Sequence, residues 1–121
     1  MQLDERIVGD VAIVKITGDI TLKKGADAGL HDKVASLIQQ GHTKVLFDLG
    51  GVGYVDSAGL GQLVQARSTL KNHGGTLRLF NLNGRLRQLM IMTKLTSLLQ
   101  EYDSEALALA SLGIQSEGNG A

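Results

Sequence analysis

The chain has 121 residues, enough for one hydrophobic core and too few for two, and its twelve basic and twelve acidic side chains cancel to a formal net charge of zero. Balanced charge argues against nucleic acid as a partner, and an aromatic content of 3% leaves few platforms for base stacking. The absence of cysteine excludes disulfides, thiolate metal sites and a cysteine nucleophile.

Leu3 to Val8 and Val11 to Thr17 are strand-like runs joined at Gly9-Asp10, a turn pair that predicts a β-hairpin. Val11, Ala12, Ile13, Val14 and Ile16 are almost continuously apolar, so the second run should be a central, buried strand. Gly18-Asp19-Ile20-Thr21 leaves the sheet, and Leu30, Val34, Leu37 and Ile38 mark the buried stripe of a helix ending near Gly41. A strand over Lys44 to Leu49 then leads through a glycine-containing loop to Asp56-Ser57. From there Leu60, Leu63, Val64, Arg67 and Leu70 recur at helical spacing until Gly74-Gly75 stop them. Thr76 to Leu82 alternates in the manner of a strand with one exposed face, which predicts a sheet edge. Asn83-Gly84 turns the chain into a short helix bearing Leu86, Leu89 and Met90. Glu105 to Leu112, capped by Gly113, predicts a last helix.

Ile114 to Ala121 is polar and glycine-rich, and reads as a disordered tail after a domain of residues 1–113. No segment approaches the length of a membrane span, and the N-terminus lacks a basic stretch followed by an apolar run. The expectation is a soluble, cytoplasmic protein with no membrane partner. Strands alternating with helices after a hairpin predict an α/β fold: a mixed, mostly parallel sheet of four to five strands with about four helices.

Few residues carry candidate chemistry. Ser57 lacks the flanking glycine pattern of a hydrolase nucleophile elbow, because position 55 is Val and only Gly59 fits. His31, His42 and His73 fall on helix surfaces or ends without the spacing of a base or a metal site. Gly51-Val52-Gly53 follows a strand as a dinucleotide-binding loop would, but the third glycine position is Asp56, whose carboxylate would repel a phosphate. Asp19 and Asp48, each at the C-terminal end of a predicted strand on the edge of the sheet where Ser57 is expected, are either an acid/base pair or, as is commoner for two such carboxylates, loop or cap acceptors. The sequence therefore predicts neither a catalytic residue nor a cofactor or metal. Ser57 remains, at a helix start beside Asp56 and two small residues: a phosphorylation site, or simply the cap that satisfies backbone N–H groups of the first turn.

Val45-Leu46-Phe47-Asp48-Leu49 followed by Tyr54-Val55-Asp56-Ser57-Ala58-Gly59-Leu60-Gly61 resembles the signature of the STAS domain family, named for sulfate transporters and anti-sigma factor antagonists. Gly18-Asp19-Ile20 and His73-Gly74-Gly75-Thr76-Leu77 are similar to two further family segments, and the resemblance extends to Gly113. It implies a STAS-like fold and, for single-domain members, partner switching. The unphosphorylated protein binds an anti-sigma factor with serine kinase activity and so releases the sigma factor. The kinase modifies the motif serine, here Ser57, and a PP2C-type phosphatase restores it. Other members serve as constitutive adaptors of transporters or sensory complexes.

The expected docking surface joins the exposed face of the Ser57 helix to the loop before it and to the Gly18 to Thr21 exit. It comprises Asp19, Thr21, Asp56, Ser57, Ala58, Gly59, Leu60, Gln62 and Gln65, with Gln62, Gln65 and Thr69 directed away from the apolar stripe. A departure from the family is Leu89-Met90-Ile91-Met92, a surface for association or, more commonly for such a run, core packing.

Overall fold

Gly9, at φ +61°, closes the turn that folds β1 (Gln2–Val8) antiparallel onto β2 (Val11–Thr17), with Val8 opposite Val11 and Gln2 opposite Thr17. A computed structural model describes residues 1–21 and 29–114 of the chain. After α1 (Gly29–Gln39), β3 (Lys44–Gly51) lies parallel to β2; after α2 (Ser57–Asn72), β4 (Thr76–Phe80) lies parallel to β3. Then α3 (Gly84–Met92) and a 3-10 turn at Leu95–Ser97 lead to β5 (Glu101–Tyr102), parallel to β4, and to α4 (Glu105–Ser111). Strand order in the five-stranded sheet follows chain order.

The two-residue period of the strands divides their apolar side chains between two cores. Ala12, Val14 and Ile16 of β2, Val45, Phe47 and Leu49 of β3, and Leu77 and Leu79 of β4 meet Leu30, Val34 and Leu37 of α1, Leu63 and Leu70 of α2, and Met90 of α3. The alternate residues Val11, Ile13, Leu46 and Phe80 face the other way, under Ala108 and Leu109 of α4. Burial on both faces is why β2 is almost continuously apolar, with Lys15 exposed near its end. Among the described residues no helix is long and apolar enough to cross a membrane.

Four expectations need correcting. β4 is not an edge: Leu79 and Phe80 pair with Glu101 and Tyr102 of β5, a strand of two residues and so too short to show a period. β4 also ends at Phe80, because Asn81 at φ +63° leaves the extended conformation. Asn83 is not a turn residue but the N-cap of α3, its side chain accepting the Leu86 N–H. Ile114, grouped by composition with the tail, packs half-buried against the α4 core; the rest of that tail, 115–121, lies outside the described residues.

Exposed ion pairs add little to this frame. The Lys44 ammonium, 2.8 Å from Asp10, holds that carboxyl below its ordinary pKa. Stability rests on the core, where Phe47 has no exposed surface in the central strand. Phe47→Ala should therefore cost about 3–5 kcal/mol in urea unfolding, a large part of the stability of a domain this size. A loss under about 1 kcal/mol would place that side chain at the periphery.

Candidate functional site

Ser57 owes its position to backbone contacts made before its helix begins. Ile20, just past β2, forms an isolated parallel bridge with Val55. Its N–H donates to the Tyr54 carbonyl at 2.9 Å, and the Asp56 N–H donates to the Ile20 carbonyl at 3.4 Å. The first turn of α2 passes directly over this bridge. A Cβ on Gly59 would lie 1.9 Å from the Ile20 carbonyl oxygen and 2.9 Å from Val55 Cγ1, so only glycine lets the two backbones approach. On the other side, Asn83 Nδ2 donates to the Val52 carbonyl at 3.0 Å while its Oδ1 accepts the Leu86 N–H at 2.8 Å. One amide thus pins the loop and caps α3.

Within this frame Asp56 and Ser57 divide two tasks. Asp56 has extended backbone (φ −90°, ψ −177°), and its Oδ1 accepts the Gly59 N–H at 2.7 Å, so it is the N-cap of α2. Ser57 is the first helical residue; it is exposed, and its hydroxyl makes no hydrogen bond among the described residues. The ambiguity between cap and modification site is thereby settled on the capping side alone: the cap is the neighbour. The serine hydroxyl stands at the positive end of the helix, open to solvent.

The other expected site residues are placed unequally. Asp19 is exposed and Thr21 half-buried. Gly59 and Leu60 are buried, so Gly59 shapes the surface from beneath. Gln62 and Thr69 do not point into solvent, because α1 lies alongside α2. They are half-buried, and with Gln65, Ala66, His31 and Val34 they line a groove of about 40 Å³. Gln62 Nε2 lies 3.5 Å from the Thr21 carbonyl. The exposed stripe of α2 is instead Ser57, Gly61, Gln65, Ser68 and Asn72. Asp48 accepts the Gly50 N–H and the Asn81 amide, as a loop acceptor should. Among the described residues no group of three or more His, Asp or Glu side chains gathers to hold a metal ion.

A cleft of about 590 Å³ opens between the Ser57 loop and α3, which the sequence reading missed. Tyr54, Val55, Leu60, Leu89 and Met92 supply its apolar lining, and Asp56, Ser57, Arg85, Gln88 and Thr93 the polar one. The signal was present in Leu89-Met90-Ile91-Met92, a run that the helix divides. Met90 is fully buried in the core, whereas Met92 is 75% exposed. Tyr54, across the cleft, is 47% exposed, so the apolar lining continues onto the surface.

A family model described as STAS domain matches residues 2–108. The anti-sigma-B factor antagonist of Bacillus subtilis (strain 168) is 35% identical over 86 residues, which cover 71% of this chain and 76% of that protein. Among solved structures, the Bacillus cell fate determinant SpoIIAA in its phosphorylated form matches with a TM-score of 0.68 at 18% identity, covering 92% of this chain and 99% of that one. The murine Solute Carrier 26 family member A9 anion transporter matches with a TM-score of 0.74 at 17% identity, covering 89% of this chain and 18% of that one. Both structural likenesses are statements about fold.

The division between Asp56 and Ser57 is measurable. Asp56→Ala should cost about 0.5–2 kcal/mol in urea unfolding through the lost cap. Ser57→Ala should stay within about 0.5 kcal/mol of the parent. The reverse order of losses would make Ser57 the cap.

Proposed function

The chain belongs to the STAS domain family, and from that premise we propose that it is an anti-sigma factor antagonist that works by partner switching. Unphosphorylated, it is a non-enzymatic binding module for an anti-sigma factor that is also a serine kinase. The kinase transfers the γ-phosphoryl group of ATP to Ser57 Oγ, ADP leaves, and the modified protein lets go of its partner. A PP2C-type phosphatase hydrolyses the ester and restores binding, all in the cytoplasm. The identity to a protein named for antagonising an anti-sigma factor supports this reading, as does a structural neighbour described in a phosphorylated form. The transporter neighbour shows that the fold alone assigns no function, so the argument rests on the site.

The observation that carries it is the exposed Ser57 hydroxyl, relieved of capping by Asp56. A kinase can take that hydroxyl without unpicking the helix. In the docking surface we propose, Asp56 and Ala58 flank Ser57, the exposed Asp19 lies beside Gly53 of the preceding loop, Gln65 extends the surface along the exposed stripe of α2, and the apolar cleft borders it.

A phosphate here would change that surface and spare the fold. It adds about −1.5 to −2 charges at neutral pH. The helix N-terminus favours the anion by roughly 0.3–1 kcal/mol, and the Asp56 carboxylate opposes it through a solvent-screened repulsion. A partner seated on the same surface would have to desolvate a dianion beside Asp56, at a cost of several kcal/mol.

The measurement is affinity for the cognate anti-sigma kinase, alongside the unfolding midpoint, for the unmodified protein, the phosphoprotein and Ser57→Ala. Phosphorylation should weaken binding about a hundredfold or more with the midpoint nearly unchanged. Equal affinity of both forms would instead mark a constitutive adaptor. A midpoint lowered enough to explain the lost binding would refute a surface switch.

A further inference from the structure

Two arginines stand in the first turn of α3, and their surroundings differ. Arg87 Nε donates to both carboxylate oxygens of Glu101, at 2.9 and 3.1 Å, and Nη2 reaches Asp103 at 3.5 Å. Arg85 is exposed, has no ion pair or hydrogen bond among the described residues, and lines the same cleft as Ser57. The charged side chains lining that cleft are Arg85 and Asp56, and Asp56 is held by the Gly59 N–H. Asp19, beside Gly53, and Lys94, after α3, lie outside the lining. The cleft therefore offers an uncommitted guanidinium, an uncommitted hydroxyl and apolar walls.

We propose that Arg85 receives the phosphate of Ser57 within the same chain, so that the modified serine is tied across the cleft and the apolar walls at Tyr54, Leu89 and Met92 are covered. The inference rests on Ser57 being the phosphorylated residue. A planar guanidinium matches phosphate oxygens in a two-pronged hydrogen bond, which makes arginine the side chain suited to this role. The cleft has one wall of apolar side chains, Tyr54, Leu89 and Met92, beside which the pair would sit less fully solvated than on a flat surface. Phosphorylation commonly acts by creating such arginine contacts. The off state would then combine a charge beside Asp56 with the closing of an apolar recess that a partner could otherwise enter.

The test needs no partner and no native kinase. Phosphoserine is installed at position 57 by genetic encoding, and its second ionisation is followed by phosphorus NMR in the parent, Arg85→Gln and Arg85→Lys proteins. An unpaired phosphoserine ionises near pH 6. With Arg85 present the ionisation should fall about half a unit or more below that of the Arg85→Gln protein, with Arg85→Lys between. The Met92 methyl signal should shift on phosphorylation in the parent and much less in Arg85→Gln. The same ionisation in the parent and Arg85→Gln proteins overturns the pair. So does a Met92 shift that survives loss of the guanidinium. Because the phosphate is supplied by encoding, failure here leaves partner switching intact, whereas a chain that cells never phosphorylate would defeat partner switching and leave this pairing measurable.

Discussion

The approach of Gly59 to the carbonyl of Ile20 is the contact on which the candidate site depends. A single added methyl would lie 1.9 Å from that oxygen, and this nearest obstacle is backbone, which cannot rotate away as a side chain could. Crowding of this kind costs about 1–3 kcal/mol and often more where nothing yields. The seat recurs at the other end of the helix. There a Cβ on Gly75 would stand 2.4 Å from the Thr43 carbonyl, and the Gly75 N–H donates to the Leu70 carbonyl at 2.7 Å. α2 is thus fixed at its start against the exit of β2 and at its end against the entrance of β3. With Asn83 holding the Val52 carbonyl from the α3 side, the loop before Ser57 has little freedom to rearrange.

That rigidity explains how a small modification could act as a switch without a conformational change. The cap, the hydroxyl and the adjoining recess belong to different residues: Asp56 holds the helix, Ser57 presents an oxygen, and the side chains of α3 shape the cleft beside it. Ser57 is exposed at the start of its helix, the geometry that the proposed phosphorylation requires.

Much of the fold could be read from the sequence because its signals are periodic and long. The nearly continuous apolar run of β2, the stripe Leu60, Leu63 and Leu70, and the Gly74-Gly75 stop all correspond to observed structure. What escaped was short or non-local. β5 has two residues and is recognisable only by its pairing with β4. Asn83 looks like a turn residue because its side chain is suited to turns and caps alike. The half-burial of Gln62 follows from the neighbouring α1, which no pattern within α2 reveals. At the site, Ser57 and its loop stood out, but Asp56 and Ser57 are both good caps, and only the Oδ1 to Gly59 N–H geometry separates them. The cleft was hidden for a related reason: one face of α3 sends Met90 into the core while the next presents Leu89 and Met92 to Tyr54 across a gap in sequence of more than thirty residues.

The most direct measurement of the central claim, that the chain presents Ser57 for phosphate while Asp56 holds the helix, is intact-mass and fragment mass spectrometry of the protein isolated from its native cells across growth conditions. The account predicts a population carrying one phosphate, located on Ser57, whose fraction changes with condition. A protein that is unmodified under every condition, or that carries its phosphate on another residue such as the exposed Ser68, would contradict it.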